Sequence, residues 1–165
     1  MTEQIDTIEI CCRINGSSKN LTGISTEPAT KILRDLGLLS VRETCSLGVC
    51  GSCTVLLDGE PVSTCILPFF ALDGKEVTTV EGLETDGQLN ELQTQFIESQ
   101  AFQCSFCTPG FLMSGQALLD GSSGELSRTD IEAGLQGHLC RCGCYAAITE
   151  ALTACSQRRV ATGTK

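Results

Sequence analysis

The chain has 165 residues and a formal charge of -9, with only eleven Lys and Arg and a single His. A chain this acidic has no electrostatic basis for binding nucleic acid or an anionic membrane. One Tyr, no Trp and six Phe limit aromatic packing, whereas the twelve cysteines exceed ordinary usage. We therefore expect one domain, or two small ones, stabilised by metal centres.

The N-terminus, MTEQIDTIEI, carries Glu3 and Asp6 in place of the basic region of a signal peptide, and it has no continuous apolar segment. No stretch approaches the roughly 20 apolar residues that cross a membrane. We therefore expect a cytoplasmic protein. In a reducing cytosol, clustered cysteines are more often metal ligands or redox groups than disulfides.

The first predicted elements are strands and a short helix. Residues 8–14 alternate between apolar and polar side chains, which predicts a strand with Cys12 buried and Cys11 on the opposite face. Asn15-Gly16 follows and is typical of a type I′ hairpin turn. A helix is predicted next over residues 26–37, with Thr26 as its N-cap.

A second hairpin completes the N-terminal half. The segment TVLLDGEPVSTC predicts two strands joined by Asp58-Gly59, the second of which carries Cys65. Hairpin, helix, cysteine-rich loop and hairpin are the order of a plant-type, ferredoxin-like β-grasp domain. We assign this domain to residues 1–80.

Four cysteines of this half have the spacing C-x4-C-x2-C, with the fourth separated by eleven residues: Cys45, Cys50, Cys53 and Cys65. We call them the N-terminal thiol set. Their spacing is the plant-type spacing for a 2Fe-2S cluster, with three thiolates from one loop. Gly48 and Gly51 lack Cβ atoms, so the loop can wrap tightly and direct backbone N–H groups toward the sulfurs.

Beyond the polar connector ETDGQ the apolar periodicity becomes helical. Four short helices are predicted, and we assign the resulting bundle to residues 81–165, which makes the whole chain an α+β fold. The first helix is expected to place four apolar side chains near one face: Leu89, Leu92, Phe96 and Ile97. The motif SRTD indicates a capping box at the third helix, and the final residues, SQRRVATGTK, are expected to fray.

The helical half carries a C-x2-C pair, Cys104 and Cys107, before its second helix, and a C-x-C pair, Cys140 and Cys142, before its fourth. We call these the C-terminal thiol set. Helix N-termini favour thiolates and an anionic cluster. The set can hold a tetrahedral zinc ion or a second 2Fe-2S cluster. The C-x-C pair and the 32 residues between the pairs are unusual for a zinc ribbon and favour iron-sulfur.

Over nearly its full length the chain resembles the small iron-sulfur subunit of molybdenum hydroxylases of the xanthine dehydrogenase and aldehyde oxidoreductase family. The resemblance rests on CSLGVCGSCTVLLDG with Cys65, on QCSFCTPG and on GHLCRCGCY. These are similar to the family's CGACTVLLDG, QCGYCTPG and GNLCRCTGY. The resemblance implies one 2Fe-2S cluster on each thiol set. It also implies a molybdopterin next to the second cluster, held by a large partner subunit and contacted by Gln103 and Cys142.

The chain departs from the family's pattern at Cys144, where the family has Gly, and at His138, where it has Asn. Cys144 is either a spare thiol near the cluster, which we favour, or a ligand in place of Cys142, because both spacings are sterically possible. His138 is expected to make a local hydrogen bond, since a Rieske-type cluster would need a second His. Three other cysteines are expected to be structural: Cys11, Cys12 and Cys155.

The resemblance implies a function in electron transfer. A molybdenum centre hydroxylates a substrate, for which we expect an N-heteroaromatic compound, and electrons pass through the two clusters toward FAD or an external acceptor. The implied partners are a large molybdopterin subunit, with the cofactor expected as its cytosine dinucleotide, and a medium FAD subunit. We expect a heterotrimer or a dimer of heterotrimers. Two oxidised clusters would bring the charge to about -13, which predicts basic patches on these partners.

The chain itself is expected to carry no catalytic residue, because it has no phosphate-binding fingerprint, no triad and a single His. Two alternatives remain open at this stage. One is a free-standing two-cluster ferredoxin that shuttles electrons between soluble partners. The other is a zinc-stabilised interaction module in which the C-terminal thiol set is structural.

Overall fold

The computed structural model describes residues 7–163. Its strands are β1 (Thr7–Ile14), β2 (Ser17–Ile24), β3 (Thr54–Leu57), β4 (Glu60–Ser63) and β5 (Glu76–Thr78). Its helices are α1 (Ala29–Asp35), α2 (Glu91–Glu98), α3 (Thr108–Gly121), α4 (Arg128–Gly134) and α5 (Tyr145–Thr162). Short 3-10 helices cover Phe69–Leu72 and Val80–Gly82. Within the described part of the chain, no helix is long and apolar enough to cross a membrane.

The five strands form one mixed sheet in the order β2-β1-β5-β3-β4. Strand β5 is parallel to β1 and antiparallel to β3, and the two hairpins, β1-β2 and β3-β4, are antiparallel. Both predicted hairpin turns are confirmed. Asn15-Gly16 and Asp58-Gly59 each have two consecutive residues with positive φ, which is the geometry of a type I′ turn.

The N-terminal core lies between one face of β1 and the elements around α1. Cys12 is buried and Cys11 is exposed, as the alternating pattern predicts. The predicted N-cap at Thr26 is wrong, since α1 begins at Ala29 and Pro28 occupies the N-cap position without a side-chain cap. Pro28 has extended backbone geometry and forms an isolated β-bridge with Pro68, so the helix cannot begin earlier.

All four helices predicted for the C-terminal half are present, and they surround a second cluster of buried side chains. The capping box predicted from SRTD is confirmed, because Ser127 accepts a hydrogen bond from the backbone N–H of Asp130 and the Asp130 carboxylate accepts one from that of Ser127. Asn90 caps α2 in the same way with Gln93. Both caps satisfy backbone donors that a helix N-terminus otherwise leaves unpaired.

Two predictions for the helical half are wrong. Of the four residues predicted to share a face of the first helix, Leu92 and Phe96 are buried, but Leu89 and Ile97 are exposed. Leu89 lies outside the helix because the Asn90 cap starts α2 at Glu91. The fraying predicted for residues 156–165 is also wrong over the residues that the structure describes, because α5 continues to Thr162, whereas residues 164 and 165 lie outside them. Ser156 is buried on this helix and accepts a hydrogen bond of 2.7 Å from the backbone N–H of Leu126.

The two halves are packed against each other. Helix α3 contacts β3 and β4, and so connects the helical core with the sheet. The connector is fixed as well, because Asn15 in the first hairpin exchanges hydrogen bonds of 3.0 and 2.9 Å with Thr79. A boundary at residue 80 stays a prediction, and it falls inside the 3-10 helix Val80–Gly82.

Candidate metal centres

The N-terminal thiol set lies where the loop between α1 and β3 meets the turn that follows β4. Cys45, Cys50 and Cys53 belong to the loop. Cys65 lies in the turn, two residues after the strand predicted to carry it. Because β3 and β4 are paired, the chain that leaves β4 returns to the loop that enters β3. Cys50 is among the groups that act on the pKa of Cys45, and Cys53 is among those that act on the pKa of Cys65, so the four thiols fall into two neighbouring pairs.

Backbone N–H groups point at these sulfurs. The N–H of Leu47 lies 3.5 Å from Sγ of Cys45, and the N–H of Gly48 lies 3.3 Å from Sγ of Cys65. The hydrogen bond from Leu47, with others from Cys50 and Val49, lowers the pKa of Cys45 to about 6. Burial instead raises the pKa of Cys65 to about 11. The loop therefore stabilises negative charge on sulfur at Cys45, as a metal-ligating thiolate requires.

Gly51 has a second role that its spacing does not reveal. Its φ is +70°, and a Cβ atom there would lie 2.0 Å from Nδ1 of His138 and 2.6 Å from the carbonyl oxygen of Gly137. The glycine therefore allows the loop of the first thiol set to touch the loop of the second. The N–H of Leu139 also donates a 3.0 Å hydrogen bond to the carbonyl of Cys50.

The C-terminal thiol set lies at the entrances of α3 and α5. Sγ of Cys142 is 3.5 Å from Sγ of Cys104, and the thiol of Cys107 neighbours that of Cys140, which acts on its pKa. The four thiols thus form two pairs, one sulfur of each pair coming from each loop. In residues 7–163 no group of three or more His, Cys, Asp or Glu is arranged around a single metal ion. Two thiol pairs fit a 2Fe-2S cluster, in which each iron takes two cysteine ligands.

The electrostatics of this set follow from nearby N–H groups and from burial. A hydrogen bond from the backbone N–H of Phe106 lowers the pKa of Cys104. Burial by itself would raise the pKa of Cys140. The backbone N–H of Cys144, which lies 3.3 Å from Sγ of Cys140, and further donors outweigh burial, so the pKa of Cys140 is lowered. Burial raises the pKa of Cys107 to about 12.

Cys142 and Cys144 occupy different environments. Cys142 is half-buried and lies beside Cys104, whereas Cys144 is buried and is the N-cap residue of α5. The thiol of Cys144 lies beside Cys140, and burial raises its pKa. Since Cys140 already pairs with Cys107, this arrangement favours Cys142 as the fourth thiol of the set and Cys144 as a spare thiol.

The surface around the second set is partly apolar. Gln103, one of the two predicted pterin contacts, is exposed and adjoins Cys104, which brings it near Cys142. Three large apolar or aromatic side chains surround these loops and are 44 to 55% exposed: Phe106, Leu139 and Tyr145. Exposed apolar groups of this kind, gathered at one place, are typical of a surface that a partner covers.

The remaining cysteines lie apart from both sets. Cys11 is exposed on the sheet, and its backbone N–H donates to the carboxylate of Asp73. Cys12 and Cys155 are buried in the two cores, and burial raises the pKa of each thiol. Their positions agree with structural roles.

His138 is the residue whose position the sequence did not indicate. It is buried, and its Nε2 lies 2.6 Å from Oγ of Ser114 on α3, so the expected local hydrogen bond is in fact long-range. The single sequence signal was its departure from the family's Asn. Nothing in the spacing connects it with Ser114 or Gly51.

Comparisons with known proteins relate this chain to iron-sulfur subunits. Residues 79–153 match a family described as a 2Fe-2S binding domain. The chain is 39% identical to the xanthine dehydrogenase iron-sulfur-binding subunit of Escherichia coli O157:H7, over 93% of the chain and 98% of that protein. It is 38% identical to the nicotinate dehydrogenase small FeS subunit of Eubacterium barkeri, over 88% and 92%.

A solved structure of a related protein has the same fold. The crystal structure of quinoline 2-oxidoreductase from Pseudomonas putida 86 contains a chain with a TM-score of 0.89 and 33% identity, covering 96% of this chain and 99% of that one. The fold and the paired thiols thus define an oxidoreductase component of the 2Fe-2S iron-sulfur class. The chain belongs to the family of small iron-sulfur subunits of molybdenum hydroxylases.

Proposed function

We propose that this chain is the electron-transfer subunit of a molybdenum hydroxylase and binds two 2Fe-2S clusters. The proposed ligands of the first cluster are Cys45, Cys50, Cys53 and Cys65. Those of the second are Cys104, Cys107, Cys140 and Cys142. In this proposal, residues 1–80 form a plant-type, ferredoxin-like β-grasp domain. Residues 81–165 form a helical domain that binds the second cluster.

The observation that carries the proposal is that backbone N–H groups are directed at sulfurs of both thiol sets, whose members lie as neighbouring pairs. When bound, a 2Fe-2S cluster accepts and releases one electron at a time. The residues of this chain hold the thiolates in place, supply the hydrogen bonds that set the cluster charge, and bring the two sites together. The contact between Leu139 and Cys50 joins the two loops directly.

The partners follow from the family. We propose that Gln103 and Cys142 face a molybdopterin on a large subunit, and that FAD on a medium subunit or an external acceptor receives the electrons. We further propose that the pterin is the cytosine dinucleotide form. The complex is proposed to be a heterotrimer or a dimer of heterotrimers, located in the cytoplasm. An N-heteroaromatic substrate is supported by relatives named for nicotinate and nicotine and by the structural likeness to quinoline 2-oxidoreductase.

Metal counts and electron paramagnetic resonance of the native, dithionite-reduced complex test this function. We expect two distinct 2Fe-2S signals, about four irons per chain and co-purifying molybdenum. A stable monomer with two clusters and no molybdenum would instead indicate a free-standing ferredoxin. One 2Fe-2S signal with stoichiometric zinc would leave the C-terminal half as a structural module.

A further inference from the structure

The loops that carry the two thiol sets meet in backbone-to-backbone contact. Besides the hydrogen bond from Leu139 to Cys50, helix α3 approaches the same place, because a Cβ on Gly110 would lie 2.1 Å from the carbonyl oxygen of Gly51. The loop of the first set is therefore enclosed between α3 and the loop of the second. A small displacement of any of these three segments changes how the two sites face each other.

His138 lies at the centre of this junction. One ring nitrogen, Nδ1, faces the backbone of Gly51, where even one added carbon would collide with it. The other, Nε2, is 2.6 Å from Oγ of Ser114 in the second turn of α3. The ring thus bridges the loop of the first thiol set and the helix that follows the first cysteine pair of the second set.

Burial makes this bridge rigid. His138 is 7% exposed and Ser114 is 4% exposed, so water does not compete for the hydrogen bond between them. The imidazole also packs against the ring of Phe111, with 5.0 Å between ring centroids.

Phe111 also connects His138 with the backbone of Cys140, through Tyr145. Phe111 contacts Tyr145 edge-on, with centroids 6.1 Å apart, and the Tyr145 hydroxyl accepts a 2.8 Å hydrogen bond from the backbone N–H of Cys140. His138 is two residues before Cys140, so the loop is held on both sides of Leu139. The buried histidine, the phenylalanine and the tyrosine form one packed support for a proposed iron ligand.

We propose that His138 is a positioning residue that fixes the separation and orientation of the two 2Fe-2S clusters by holding residues 138–140 against Gly51 and Ser114. This inference rests on the proposed function, because it concerns the two clusters. His138 itself is not an iron ligand in this arrangement.

The test compares His138→Ala, His138→Gln and Ser114→Ala in the native complex. The readouts are the iron count, the magnetic splitting between the two reduced clusters, and the two reduction midpoints. The splitting depends steeply on the distance between the clusters and does not depend on the stability of the fold as such. An amide nitrogen of Gln can occupy the position of Nε2, so His138→Gln is the conservative variant. Ser156→Ala is the matched control, because it removes a buried hydroxyl of the helical half that lies outside the junction.

We expect His138→Ala to keep about four irons and both cluster signals, but to lose the wild-type splitting and to shift at least one midpoint. We expect Ser114→Ala to shift the same readouts in the same direction. His138→Gln should restore much of the wild-type splitting, and the control Ser156→Ala should change neither the splitting nor the midpoints. Unchanged splitting and midpoints in His138→Ala would overturn the inference. If His138→Ala does not fold, Ser114→Ala decides, and unchanged spectra there would overturn it equally. A wild-type complex without about four irons would instead refute the proposed function.

Discussion

Cys142 and Cys144 are two residues apart, yet they make different contacts within the C-terminal thiol set. Cys142 reaches Cys104 across the gap between the two loops. Cys144 turns inward, where its backbone N–H serves as a hydrogen-bond donor to Cys140. Residue identity and spacing leave the choice of ligand open, and the contact of Cys142 with Cys104 favours Cys142.

Serine substitutions at Cys142 and Cys144 are expected to show which of the two is an iron ligand and which is a spare thiol beside the cluster. Cys142→Ser should lose the signal of the C-terminal cluster and about half of the iron, because a hydroxyl is a poor replacement for a thiolate on iron. Cys144→Ser should keep both signals, because it retains the backbone donor to Cys140. Iron analysis and electron paramagnetic resonance of the reduced complexes measure both. Loss of a cluster in Cys144→Ser alone would reverse the assignment.

Alanine at Gly110 is expected to disturb the junction between the halves. The added Cβ would lie 2.1 Å from the carbonyl oxygen of Gly51, which is backbone and cannot move aside cheaply. We expect a loss of about 1–3 kcal/mol of stability or more, seen as a lower Tm. Gly121→Ala in the same helix meets no atom within 4 Å and should leave Tm unchanged or slightly raised. Equal Tm values for the two variants would contradict the packing described here.

At the scale of elements, the connector between the sheet and the helices is held by a carboxylate. Glu81 accepts hydrogen bonds from the backbone N–H and hydroxyl of Ser40, in the loop after α1, and from the hydroxyl of Thr79. Partial burial works to raise the pKa of Glu81, but the Ser40 and Thr79 hydroxyls outweigh it and the pKa is lowered. The ionised carboxylate therefore ties the connector to the loop that leads into the first thiol set.

Glu81→Gln is expected to lower stability by about 1 kcal/mol near neutral pH, since this exposed site is screened by solvent. Because the folded-state pKa is lowered, the contribution is present above the unfolded value of about 4.3 and is lost as pH falls through the folded value. Thermal unfolding of variant and wild type should thus converge once the pH has fallen below the lowered pKa of Glu81 in the folded state. Glu84→Gln on the same connector serves as the control. A Tm difference that is independent of pH would show that charge is not responsible.

At the scale of the whole molecule, the surface combines a formal charge of -9 with an apolar rim around the second thiol set. The rim is suited to a partner that covers it, and the charge is suited to basic groups at the edge of that interface. The two properties act on different steps, since charge speeds the encounter and apolar burial slows dissociation.

Leu139→Glu is expected to weaken assembly at least about tenfold, because a carboxylate would be buried in an apolar contact. The Leu139 side chain is 55% exposed, so the isolated chain should tolerate the change and keep its iron. Co-purification of the large subunit and the iron content measure the two effects separately. Val160→Glu, at an exposed apolar position near the end of α5, is the control. Undiminished co-purification of Leu139→Glu would place the interface elsewhere.

Local patterns predicted much of this molecule correctly. Asn15-Gly16 and Asp58-Gly59 form the predicted turns, and the SRTD motif forms its capping box, because each depends on interactions between residues close in sequence. The spacing of the cysteines likewise identified both thiol sets that the fold brings together, since a cluster requires particular thiols at particular separations. Where a long-range contact competes, as at Pro28, local pattern alone gave the wrong helix start.

The class of the protein, the two thiol sets and the order of the elements could all be predicted from the amino-acid sequence. The tertiary structure added that Cys142 lies beside Cys104, that the backbone N–H of Cys144 points at the sulfur of Cys140, and that the two loops meet at Gly51. It also gave His138 a partner 24 residues away on α3. These features depend on how distant segments pack, and packing is settled by the shapes of all the side chains together, which no short pattern in the sequence records.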